Sequence, residues 1–189
     1  MSAELLRERG LGWFFAATWI EGDDPAEIAR LLRADPEDGM SCELAEAMRH
    51  LDPYALTELI WLGAHAPGWS HAVTIAGPPL RTAPLLAAGR KYVHVVWDGP
   101  GPGVHDLVHS DGVTEFRQPP ARVHDPGWRL HEYAEGLLPP GHPGVFDVLA
   151  GGGERQCLDN WLTVAARLTG RALTEEALSA PRLLYRLPI

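Results

Sequence analysis

The chain has little cysteine, no long apolar run and no cluster of basic residues, and each shortage excludes something. Its two cysteines, Cys42 and Cys157, lie far apart and form no C-x-x-C pair. Two isolated thiols fit a reduced intracellular protein without a zinc site and leave their redox state open. No stretch approaches the length of a membrane-spanning helix. The N-terminal segment MSAELLRERGLGWFF is broken by Glu4, Arg7, Glu8 and Arg9, which does not suit a signal peptide. The expected location is the cytoplasm. With 16 Lys and Arg against 25 Asp and Glu, the formal charge is −9. Phosphate binding needs clustered cations, so nucleic acid and anionic membrane are excluded as general partners, and a basic partner is permitted.

Catalytic signatures are also missing. There is no G-x-S-x-G elbow around Ser70 or Ser110. The loop Gly99-Pro100-Gly101-Pro102-Gly103 lacks a GK[ST] ending, and its prolines remove donors that a phosphate cradle needs, so it reads as a turn. No internal repeat is seen, and no motif calls for a cofactor.

What is present is a mixed pattern of strands and helices. The length of 189 residues fits one domain, and the 46% hydrophobic content can fill a core. Seven tryptophans are many for this size; each is a large packing or anchoring group. Trp13–Ile20 reads as a strand with two apolar faces, hence a central one. Asp23 or Asp24 caps the helix that follows, with Pro25 at its first position, and Asp35-Pro36 ends it. That cap also explains the acidic group Asp23, Asp24 and Glu27 without a bound cation. Ser41 is expected to cap a helix to His50. Thr57–His65 and Ser70–Ala76 read as paired strands, Leu80–Ala88 as a short helix weakened by Pro84, and Lys91–Trp97 as the strongest strand.

Val104–His109 and Val113–Arg117 flank a hairpin turn. With Asp111 and Gly112 as its central pair, Asp106 falls opposite Arg117 and Leu107 opposite Phe116. Beyond Gln118 the composition shifts to Pro, Gly and His, with short helices expected at 129–137 and 144–149 and a hinge at Gly151-Gly152-Gly153. Leu158, Trp161, Leu162, Ala165 and Leu168 make the stripe of a helix from Cys157, stopped by Gly170. Thr174 caps a last short helix that Pro181 ends. The expectation is a single α+β domain over 1–189: a mainly antiparallel sheet packed by helices, sheet-rich over 1–118. Residues 119–189 would form a Pro/Gly-rich connection and a helical C-terminal part.

Five pieces carry a resemblance: GWFFAATWIEGDDPAEIARLLRAD, GWSHAVTIAG, KYVHVVWD, HSDGVTEF and RLTGRALTEEAL. Their order resembles a family of small actinobacterial proteins known only as a domain of unknown function. The pieces touch about two-thirds of the chain, while 36–56 and 119–153 look divergent or inserted. The resemblance implies a fold and carries over no catalytic residue.

Nine histidines invite a metal. His105 and His109 have the H-x-x-x-H spacing that a helix would bring together. On a strand, however, they lie about 13 Å apart at about 3.3 Å per residue, too far for shared bonds of about 2 Å. No metal is expected. His94, Trp97, His105 and His109 are instead the candidate ligand-binding residues, on neighbouring strands. Gly39-Met40-Ser41-Cys42 could expose a thiol at a helix start, but a buried small side chain explains Cys42 better. Two functions remain. One is non-enzymatic recognition of a protein partner or other ligand, immunity-like or regulatory. The other is a small enzyme or ligand-binding protein of secondary metabolism, with a Trp- and His-lined pocket. Whether it is an enzyme, and its oligomeric state, stay open at this level.

Overall fold

The computed structural model describes residues 3–98, 105–118, 130–137 and 153–188. The expected Gly99–Gly103 turn, the helix at 144–149 and Gly151-Gly152 lie outside them.

An eight-stranded antiparallel sheet forms the middle layer. Its strands are β1 (Phe15–Glu21), β2 (Met40–Cys42), β3 (Glu58–Ala66), β4 (Trp69–Ala76), β5 (Lys91–Trp97), β6 (His105–Asp111), β7 (Glu115–Gln118) and β8 (Arg182–Leu187). They lie in the order β2-β8-β3-β4-β1-β5-β6-β7. Helices are α1 (Ala3–Glu8), α2 (Pro25–Leu31), α3 (Leu44–Ala47), α4 (Ala83–Ala87), α5 (His131–Ala134), α6 (Gly153–Thr169) and α7 (Glu175–Ser179).

Both faces of the sheet are covered, as the apolar runs of β1 and β5 require. On one face Phe15, Trp19, Trp61, Val93, Val95 and Trp97 pack against Leu158, Trp161 and Leu162 of α6 and Leu178 of α7. On the other, Ile20, Ile60, Leu62, Tyr92 and Tyr185 meet Ile28 of α2 and Leu85. The fold is α+β, with β1, β5 and the β6–β7 hairpin in one sheet as expected. Both cysteines are free and buried in the same core.

The cap of α2 follows the sequence: Asp24 accepts from the Ala26 amide at 2.9 Å, with Pro25 beginning the helix. Pro84 sits in the first turn of α4, where its missing N–H costs no hydrogen bond.

Three expectations are corrected. Ser41 does not cap a helix: it is the middle of β2, paired with Leu183 of β8. The C-terminal part is not only helical, because Arg182–Leu187 enters the sheet between β2 and β3. The hairpin register is shifted by two: Val108 faces Arg117 and His109 faces Phe116. The cause is Asp111, whose carboxylate accepts from the Val113 and Thr114 amides at 3.0 and 2.8 Å. That Asx arrangement lengthens the turn, with Gly112 at φ +92°. The Asp106–Arg117 ion pair still forms, diagonally, at 3.3 Å.

Candidate functional site

Alternation along β5 and β6 decides which candidates can meet. His94 pairs with Val108, while His109 pairs with Val93. His94 therefore faces the side of Tyr92 and Val108, and Trp97 and His109 face the side of Val93 and Leu107. The four candidate residues do not line one pocket. His105 is placed by register alone, opposite Trp97.

His94 stands opposite Thr18 of β1, and its Nδ1 lies 2.8 Å from the Thr18 hydroxyl. The ring lines a cleft of about 270 Å³ with Leu80, Arg81, Val96, Val108 and Arg117. Burial pushes its pKa down to about 4; the nearby Glu115 opposes this and Arg117 reinforces it. Beside the ring, Glu115 accepts from the hydroxyls of Tyr92 and Thr82. Burial, then the bond to Glu115, raises the Tyr92 phenol.

His109 belongs to a separate cleft of about 320 Å³ on the opposite face, with Trp69, Lys91, Asp111, Leu130 and Tyr133. Its ring stacks on Phe116 at 6.3 Å between centroids. Trp97 is buried, edge-on to Trp161 at 6.4 Å.

A third polar cluster was not anticipated. His65, His71 and Arg182, from β3, β4 and β8, are buried beneath the helical layer with Trp19 and Trp61. Arg182 Nη1 donates to His71 Nδ1 at 2.8 Å, and Nη2 to the Ala177 carbonyl at 3.1 Å. Its guanidinium lies 4.5 Å from the centre of the Trp61 ring. Burial, and then Arg171, lowers the Arg182 pKa to about 10. Burial pushes His71 well down and His65 to about 4, so both rings are neutral near pH 7. The signal in sequence was a histidine at an inward position of each apolar strand, β3 and β4. The three side chains are almost completely buried.

Among the described residues no group of three or more His, Cys, Asp or Glu is placed to hold a metal ion. No described helix is long and apolar enough to cross a membrane.

Segment 35–56, which contains β2 and reaches β4 where Asp52 bridges Ala76, has a different character. Asp35, Glu37, Asp38, Glu43, Glu46 and Asp52 are all exposed. None makes an ion pair with a described residue. The same segment exposes Met40 by 46%, Tyr54 by 90% and Leu56 by 88%. β2 is also the terminal strand of the sheet.

No family model, curated protein or solved structure matches the chain.

Proposed function

We propose that the protein is a non-enzymatic recognition protein that binds a basic protein partner through segment 35–56. The observation that carries this reading is the exposure, within one short stretch of chain, of Met40, Tyr54 and Leu56 together with six carboxylates that no described cation pairs. Large apolar groups at the surface bring association energy, and aromatic anchors dominate interfaces. Unpaired carboxylates steer a cationic partner and reject an anionic one. The open edge of β2 can add main-chain hydrogen bonds to an extended segment. An immunity-like or regulatory role, in which the protein covers a basic surface, fits this arrangement.

Co-purification tests it. The protein and its Tyr54→Ser/Leu56→Ser variant are isolated from source cells under identical conditions. The expected result is a basic protein that accompanies the parent in stoichiometric amount and is lost from the variant, at an unchanged melting temperature. A partner retained in full by the variant would contradict the assignment of this surface.

A second reading is favoured by the cleft over His94: the protein holds a small ligand there. No tryptophan is among the described residues that line it, and Trp97 faces the other side of the sheet.

A further inference from the structure

His94 is almost completely buried, and its two ring nitrogens have different surroundings. The Thr18 hydroxyl is buried, and its hydrogen-bond partner among the described residues is His94 Nδ1 at 2.8 Å. A buried hydroxyl must place its hydrogen on an acceptor; by donating to Nδ1 it does so. This assignment puts the ring proton on Nε2. Nε2 has no hydrogen-bond partner among the described residues, and it is not one of the sealed polar atoms. The atom therefore opens on the cleft that the ring lines.

Two guanidiniums border that cleft. Arg81 holds Glu58 at 2.8 Å and Arg117 holds Asp106 at 3.3 Å. Each guanidinium carries five N–H donors, and one carboxylate satisfies two at most. Asp106, the only carboxylate among the described lining residues, is already engaged by Arg117, and Glu115 beside the ring by the hydroxyls of Tyr92 and Thr82. Donors therefore outnumber free acceptors. The rest of the described wall is Pro79, Leu80, Val96 and Val108, with Thr82, whose hydroxyl already donates to Glu115. At about 270 Å³ the cleft lies just below the usual range for drug-sized ligands, which suits a smaller one.

We infer that this cleft binds the carboxylate of a small apolar acid, with the acid group between His94 and Arg117 and its hydrocarbon part against Leu80, Val96 and Val108. The ligand may be described by its chemistry: a free short-chain or single-ring acid, or the C-terminal residue of a peptide. The inference rests on the second reading above and is independent of partner binding by segment 35–56, none of whose residues is among the described residues lining the cleft.

The test follows the His94 ring by NMR in the full chain. Phenylacetate and isovalerate serve as free acids, phenylacetamide as the neutral control. An acetylated peptide ending in leucine, with a free or an amidated C-terminus, is the second arm. Saturable movement of the His94 signals by the free acids supports a metabolite site. Movement by the free-terminus peptide alone supports a peptide-terminus site. In either case Arg117→Gln, at an exposed side chain, weakens binding by about tenfold at an unchanged melting temperature. Equal response to the amide, or undiminished binding by Arg117→Gln, overturns the carboxylate assignment while leaving a ligand site. No saturable movement with any probe overturns both the inference and the reading on which it rests.

Discussion

The guanidinium of Arg182 reaches His71 Nδ1 at 2.8 Å because its methylene stem lies across Gly63. A Cβ at position 63 would sit 2.6 Å from Arg182 Cγ, so the missing side chain makes the passage. No described carboxylate pairs with this buried cation; an imidazole, carbonyls and the Trp61 face hold it instead. The prediction is that His71→Leu destabilises the protein by about 2–3 kcal/mol, because a donor from a charged group loses its acceptor. Urea denaturation measures it, and an unchanged midpoint would reject the role given to His71.

The buried histidines make stability depend on pH. His65 and His94 have folded pKa values near 4, and His71 is also depressed. The unfolded chain binds these protons near pH 6.5, so between the two values it holds more protons than the folded one. Stability is therefore full above about pH 7 and falls as pH drops through about 6.5 toward 4. Each histidine contributes a slope of up to about 1.4 kcal/mol per pH unit in that window. Urea denaturation at several pH values should show this loss. A free energy constant from about pH 7 to pH 5 would mean that the rings are charged or absent from the core.

Trp161 joins the C-terminal helix to the sheet. It is fully buried and meets Trp97 edge-on. Trp161→Ala is expected to cost about 3–5 kcal/mol, through lost burial and the cavity left behind. A thermal midpoint equal to that of the parent would contradict this.

Gly112 carries the hairpin turn. Its φ is +92°, and a Cβ there would lie 2.7 Å from the Gly89 carbonyl oxygen. Gly112→Ala should destabilise by about 1–2 kcal/mol from backbone strain, with the close carbonyl adding to it. Thermal melting checks the loss; a gain in stability would show that the turn is built differently.

The sheet was largely legible in the sequence, because its central strands are long and apolar. Lys91–Trp97 was read with both ends correct, β3 with each end one residue off, and β4 with only its start one residue off. β8 was missed: RLLYRL is short, opens with a charged residue, and follows a helix-ending proline. Its Arg182 is buried, which only the neighbouring Gly63 and His71 explain. Placement of β2 depended on β8, so the helix expected from Ser41 failed with it. His94 was legible as an inward histidine on a strand. Its separation from Trp97 and His109 follows from alternation along β5 and β6. The His65–His71–Arg182 cluster was not legible, because register, not proximity in sequence, brings its members together.

The most direct measurement of partner recognition is site-specific photo-crosslinking. A photoreactive residue replaces Tyr54 in the full chain within source cells, and exposed Arg186 serves as the control position. The account predicts one dominant basic protein crosslinked at 54 and not at 186. Its yield should fall in about 1 M salt, where surface charges are screened, and with Glu37→Gln/Asp38→Asn/Glu43→Gln/Glu46→Gln. No specific crosslink at 54, or a crosslinked protein indifferent to both changes, would contradict recognition through this acidic, apolar edge.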